Sequence, residues 1–166
     1  MQKIEVSKTF KAPIELVWQV WEDPELVKRW WGPKNFTSPS ANIDLRVGGK
    51  SIVSMQAPKE LGGQIYFSLW QYTKIEYLLT IEFIQSLCDE LGNKINPESV
   101  GMPADFPIDI KTVVTFSKTT ETQTTMTVTE YANFGTISNF AQIGLEQSIE
   151  KMAEILKNKL NRNQLD

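Results

Sequence analysis

Asp23-Pro24-Glu25-Leu26-Val27-Lys28-Arg29-Trp30-Trp31-Gly32-Pro33 joins a short helical pattern to the run of strand-like segments in the middle of the chain. Asp23 is suited to cap a helix that starts at Pro24, because its side-chain oxygen takes a free backbone N–H and proline has none to lose. Gly32-Pro33 then ends that helix. Neighbouring helical positions point about 100° apart, so Trp30 and Trp31 cannot share one face. One ring is expected in the core and the other over a seam or at an opening.

Upstream, residues 2–10 alternate, with Ile4, Val6 and Phe10 on one side and Lys3, Glu5, Ser7 and Thr9 on the other. That is the pattern of a half-buried strand. Pro13 is tolerated at a helix start. Ile14, Val17, Trp18 and Trp21 follow at helical spacing.

Downstream the period changes to two. Ala41, Ile43, Leu45 and Val47 share a face, Gly48-Gly49 turns, and Lys50–Gln56 returns. Residues 63–76 read as a long strand with Ile65, Phe67 and Leu69 on one face and Tyr66, Trp70 and Tyr72 on the other. Both faces are apolar, so inside and outside stay open. Tyr77–Gln85, Ile108–Ser117 and Glu121–Tyr131 complete the strands, with a turn at Lys118–Thr120. Residues 87–107 form one long irregular segment, the length of a lid or binding loop. A helix is expected from Ser138 to Asn158, with Ala141, Leu145, Ile149, Met152 and Leu156 as its apolar stripe. Residues 1–158 are expected to form one domain and 159–166 a frayed tail.

Strands that follow one another without crossover helices imply an antiparallel sheet. The expected class is α+β: a curved antiparallel sheet of six to seven strands around a long C-terminal helix, with two short helices after the first strand. A strongly curved sheet around a helix leaves a volume that side chains fill or a ligand occupies.

Composition narrows the function. The chain has no histidine and one cysteine, Cys88. That excludes histidine-based catalytic triads, imidazole metal sites and an intramolecular disulfide. Net charge is −3 with Lys and Arg scattered, so a nucleic-acid groove is not expected. No apolar run is long enough to span a bilayer and no signal-peptide pattern opens the sequence, so a cytoplasmic protein is expected. No cofactor or metal is expected: Asp89, Glu90 and Asp105 lack calcium-loop spacing, and Gly48-Gly49 has no helix after it to make a phosphate loop. Asp44, Glu82 and Glu130 read as solvent-facing residues between apolar positions, so no convergent acid–base pair is expected.

Several separated motifs carry a resemblance. They are Phe10-Lys11-Ala12-Pro13-Ile14-Glu15-Leu16-Val17-Trp18, Asp23-Pro24-Glu25-Leu26 with Arg29-Trp30-Trp31-Gly32-Pro33, and Asp44-Leu45-Arg46-Val47-Gly48-Gly49. Asp89-Glu90-Leu91-Gly92-Asn93 and Gly101-Met102-Pro103-Ala104-Asp105-Phe106-Pro107 add to them. Together they resemble START-like (SRPBCC) helix-grip domains. The closer resemblance is to bacterial relatives of the C-terminal domain of the activator of heat-shock protein ninety ATPase. Gly144-Leu145-Glu146-Gln147-Ser148 stands where one subset of relatives reads Gly-Trp-Glu-Gln-Ser, so Leu145 is a departure that removes a large ring from the long helix.

The resemblance implies a cavity between the last helix and the sheet. Its expected lining is Trp18 and Trp30 from the short helices, Phe67, Phe83, Thr112, Val114 and Met126 from the strands, and Leu145, Ser148 and Met152 from the last helix. The leading expectation is a binding domain for a small hydrophobic or aromatic molecule, oriented by hydroxyls such as Ser148, Thr112 or Tyr131. A second is a partner-binding module, as eukaryotic members of that family bind a chaperone, with the Tyr66, Trp70 and Tyr72 strand as the docking face. A third is a cyclase- or hydrolase-like enzyme, which requires a buried cavity carboxylate.

Overall fold

The computed structural model describes residues 2–165, with side chains through residue 162. Strand β1 (Lys3–Phe10) leads into helices α1 (Ile14–Glu22) and α2 (Pro24–Trp30). Strands β2 (Ala41–Asn42), β3 (Lys50–Gln56), β4 (Ile65–Glu76), β5 (Thr80–Cys88), β6 (Ile110–Thr120) and β7 (Gln123–Tyr131) follow, and helix α3 (Ser138–Leu165) ends the chain. The strands form one antiparallel, seven-stranded curved sheet in the order β1-β7-β6-β5-β4-β3-β2. The first strand therefore pairs with the last, Lys3 opposite Tyr131 and Phe10 opposite Thr124. This α+β helix-grip architecture is the one expected.

The opening stretch folds as read. The Asp23 carboxylate accepts from the Glu25 N–H at 3.0 Å and Pro24 takes the first helical turn. Gly32, at φ 107°, breaks the helix in a conformation that disfavours a side chain. Trp30 is 1% exposed and donates its indole N–H to the Val20 carbonyl at 2.7 Å, which ties α2 to α1. Trp31 stays half-buried.

Several boundaries differ from expectation. Only Ala41–Asn42 of the segment 41–47 pairs as a strand. Beyond it the backbone bonds locally, Asp44 N–H to Ser51 Oγ at 3.0 Å and Gly49 N–H to the Arg46 carbonyl at 2.8 Å, so no ladder continues. Strand β5 begins at Thr80 rather than Tyr77, because Leu78 at φ 64° and the Leu79 N–H to Glu76 carbonyl bond make the turn there. Strand β6 runs through Thr120, past the expected turn at Lys118. Helix α3 continues past Asn158 to Leu165, with Leu160 packed against the core.

The core lies between the concave face of the sheet and the helices. Trp21, Trp30, Trp70 and Phe83 make its centre, with ring centroids 4.7 Å apart for Trp21–Trp30 and 5.0 Å for Trp70–Phe83. Offset and edge-on contacts of this kind add to the burial of apolar area. Trp70 and Tyr72 are buried inward, so they are not part of a docking face; the half-exposed rings of the strand are Tyr66 and Phe67.

The long connection 89–109 is tied down by side chains. Asp89 accepts from the Leu91 and Asn93 N–H groups, both at 2.9 Å, and Asn96 from the Glu98 N–H at 3.0 Å. Asp89 is thereby held below the ordinary carboxylate range, chiefly by its bonds from Asn93. At the far end Asp105 accepts from the Thr136 N–H at 3.0 Å, just before α3 begins.

Candidate functional site

A cavity of about 260 Å³ opens between the N-terminal half of α3, the sheet and the end of the connection 89–109. Its size is slightly below the common range for ligand pockets, about 300–1,000 Å³. One side is Trp30, Trp31, Gly32 and Pro33, the stretch that ends α2. The sheet contributes Phe83, Gln85, Ile110, Thr112, Val128 and Glu130. Helix α3 and the turn before it bring Phe134, Ile137, Phe140, Ala141, Leu145 and Ser148. Met102 and Phe106 from the long connection also line it.

Five of the expected lining residues meet here: Trp30, Phe83, Thr112, Leu145 and Ser148. The other five do not. Trp18 packs edge-on to Tyr77 and against Phe116, in a filled part of the core. Val114, Met126 and Met152 face inward as expected but are buried in the same filled region, and the Met126 sulfur accepts from the Trp21 indole at 3.3 Å. Phe67 lies in a separate depression with Cys88, Ile95 and Val100, where the long connection folds back over the sheet. The open volume is displaced toward one end because the indoles of Trp21, Trp30 and Trp70 occupy the middle.

Helix α3 grips the Trp30-Trp31-Gly32-Pro33 turn directly. Ser148 Oγ and Lys151 Nζ both donate to the Gly32 carbonyl at 2.9 Å. Lys151 also donates to the carbonyls of Pro33 at 2.9 Å and Phe36 at 3.1 Å. Burial pulls the Lys151 ammonium below its ordinary range. These bonds pin the turn that follows α2 to the face of α3. Ser148 is thus occupied in positioning the wall and is not a free ligand-orienting hydroxyl.

Two lining residues carry buried polar atoms with no hydrogen-bond partner, Trp31 Nε1 and Thr112 Oγ1. Such groups are rare in folded proteins because each costs about 1–3 kcal/mol in lost hydration. The indole nitrogens of Trp18 and Trp70 are also unpartnered, but neither ring lines the cavity.

The third polar feature was missed in the sequence. Glu130 lines the cavity and does not face solvent as expected. Its position on β7 shares the parity of Met126 and Val128, both buried, and side chains two apart on a strand point the same way. The residue is half-buried, and burial pushes its carboxyl up from the ordinary 4.5 to about 7. No other ionisable side chain lines the cavity among the described residues. Asp44 and Glu82 do lie outside the core: Asp44 pairs with Arg46 at 3.0 Å, and Glu82 lies 3.9 Å from both Lys74 and Lys111.

A wider depression of about 900 Å³ lies outside, between β1 and α3. It is walled by Lys8, Lys34, Glu146, Glu150 and Glu154 and crossed by the Lys8–Glu150 pair at 2.8 Å. Solvated charges line it, so it is not the site that would bury an apolar molecule. Among the described residues there is no group of three His, Cys, Asp or Glu arranged to hold a metal ion, and no helix long and apolar enough to cross a membrane. The Cys88 thiol is buried and pushed up to about 11 by that burial, the reverse of a reactive cysteine.

Comparison with known proteins agrees with this architecture. The profile of the family described as Activator of Hsp90 ATPase homolog 1-like protein matches residues 11–157. Protein Ms6760 from Mycobacterium smegmatis is similar in structure, with TM-score 0.72 and 23% identity over 93% of this chain and 90% of its own. A protein from Arthrobacter aurescens has TM-score 0.75 and 24% identity over 94% of this chain and 86% of its own. The AHSA1 protein from Silicibacter pomeroyi has TM-score 0.74 and 15% identity, covering 95% and 99%. At these identities the likeness is one of fold. Among curated proteins no significant match is found. The chain therefore belongs to the family of Activator of Hsp90 ATPase homolog 1-like proteins, whose START-like fold suggests a ligand-binding or interaction domain.

Proposed function

We propose that the chain is a non-catalytic binding domain that holds a small apolar or aromatic molecule in the cavity between α3 and the sheet. The observation that carries this reading is the pairing of an apolar wall with unpartnered polar atoms. Trp30, Phe83, Phe134 and Leu145 offer apolar area, while Trp31 Nε1 and Thr112 Oγ1 have no partner within the protein. A ligand that buries its apolar body gains about 25 cal/mol per Å² of area removed from water. One that also accepts from the indole and hydroxyl relieves their lost hydration. Thermal-shift and native mass spectrometry screens of single-ring and short-chain lipophilic compounds test the reading. Stabilisation with one-to-one adducts is expected. A flat response across the set, with no adduct retained, contradicts it.

Glu130 favours a second reading, a proton-transfer enzyme. Its carboxyl meets the requirement of a buried, shifted acid in the cavity. Acid–base catalysis that hands a proton in and out needs a second group or an open water path, and Glu130 has no ionisable neighbour in the lining. A binding role is therefore the simpler one. Turnover of a bound ligand that disappears in Glu130→Gln would establish the enzyme instead.

A further inference from the structure

The polar end of the cavity has a definite sign. Glu130 on β7 stands directly opposite Thr112 on β6 and opposite Ile4 on β1. Cross-strand partners have Cβ atoms about 4.5–5.5 Å apart, so Glu130 and Thr112 spring from neighbouring points of the cavity floor. The cations on the surrounding elements are engaged elsewhere. Lys111 lies 6.0 Å over the Tyr131 ring and 3.9 Å from Glu82. Lys3 pairs with Glu5 at 3.4 Å, and Lys151 is held by the carbonyls of the Gly32 turn. Of the nearby acids, Asp105 binds Thr136, and Glu146 accepts from Gln142 at 2.8 Å. Aromatic rings of Trp30, Trp31, Phe83 and Phe134 surround the rest.

A lone carboxyl in an aromatic box, with no cation beside it among the described residues, is complementary to a positively charged guest. From this geometry we infer that the cavity selects a lipophilic amine: an apolar or single-ring body carrying one ammonium group that sits against Glu130 and Thr112. This rests on the binding reading above and adds the ligand's charge to it. The ammonium donates to the Glu130 carboxylate, and the ring faces attract the cation. A carboxylic acid in the same cavity meets an unpaired carboxyl of like sign, which is disfavoured.

The ionised form of Glu130 is the one an ammonium recognises. Its population rises as pH passes about 7. Amine binding should therefore tighten with rising pH in that window, whereas a neutral guest that accepts a proton from Glu130 should weaken.

Calorimetric titration with phenylbutylamine, phenylbutanol and phenylbutyrate tests the inference, since the three share one skeleton and differ in charge. At about pH 8 the amine is expected to bind about tenfold or more tighter than the alcohol, with the acid weakest. Glu130→Gln keeps the side-chain shape and should abolish the amine's preference over the alcohol, so that the two bind within about threefold of each other. In the unaltered protein, amine affinity should rise between about pH 6 and pH 8. Alcohol binding as tight as the amine, or a preference that survives Glu130→Gln, overturns the amine inference and leaves the binding reading intact. Absence of binding by all three, with thermal stability unchanged, overturns both.

Discussion

Thr112 and Glu130 face each other across the β6–β7 ladder, and both line the same cavity. The hydroxyl has no partner, and burial pushes the carboxyl up to about 7. That pair gives an otherwise apolar volume its chemical direction.

Glu130 should make stability depend on pH. Its folded pKa is raised from 4.5 to about 7, so the folded state binds the extra proton between those values. Stability is full below about pH 4.5 and is lost as pH rises toward 7. Glu130→Gln should therefore stabilise the protein by about 1–3 kcal/mol at about pH 8 and change little near pH 4, measured by urea unfolding. An equal effect at both values would place the carboxyl in solvent.

Leu145 sets the size of the cavity. It lines the site from α3. Leu145→Trp should fill the volume and lower affinity for a bound lipophile by about tenfold or more. The change in folding stability should stay within about 1–3 kcal/mol, since overpacking and cavity filling oppose each other. Unchanged affinity in a folded variant would place the ligand elsewhere.

Lys151 holds the wall that Trp31 belongs to. It donates to three carbonyls, those of Gly32, Pro33 and Phe36. Lys151→Met keeps most of the apolar stem but removes every donor, and should cost about 2 kcal/mol in denaturant unfolding. The same variant should increase hydrogen exchange in residues 31–36. A neutral effect would mean that water replaces the ammonium without loss.

The connection 89–109 should behave as a clamped lid. Asp105 is fixed to Thr136, and Gly135, at φ 57°, sits so close to the Asp105 carboxylate that a Cβ there would collide with it. Gly135→Ala should therefore detach the clamp and cost about 1–3 kcal/mol. Asp105→Ala should leave global stability within about 1 kcal/mol but speed ligand release and raise exchange around Met102 and Phe106. Identical exchange in both variants and the parent would show that the lid is held by other contacts.

The fold was legible because its signals are local and redundant. Asp23-Pro24 caps a helix by its own chemistry, and the alternation in Ile110, Thr112, Val114 and Phe116 states which face is buried. The 41–47 segment was misread because alternation alone does not show that Ser51 and Arg46 would bond its backbone locally. The cavity was legible by face but not by position. Val114, Met126 and Met152 do point inward, yet three indoles fill the space before them. Phe67 could not be placed because both faces of β4 are apolar, and the cover over its outer face comes from a connection with no periodic pattern. Glu130 could have been found: its parity with Met126 and Val128 was visible, and its charge outweighed that parity in the reading.

The indole N–H signals report directly on a guest in the space beside Trp31. The chain has five tryptophans, of which Trp31 carries an unpartnered N–H in the cavity wall and Trp18 carries one in the filled core. Nitrogen–proton correlation spectra recorded during titration with phenylbutylamine should shift the Trp31 indole signal progressively to saturation and leave that of Trp18 in place. A Trp31 signal that stays fixed while the amine binds, or that moves no more than that of Trp18, would contradict the account.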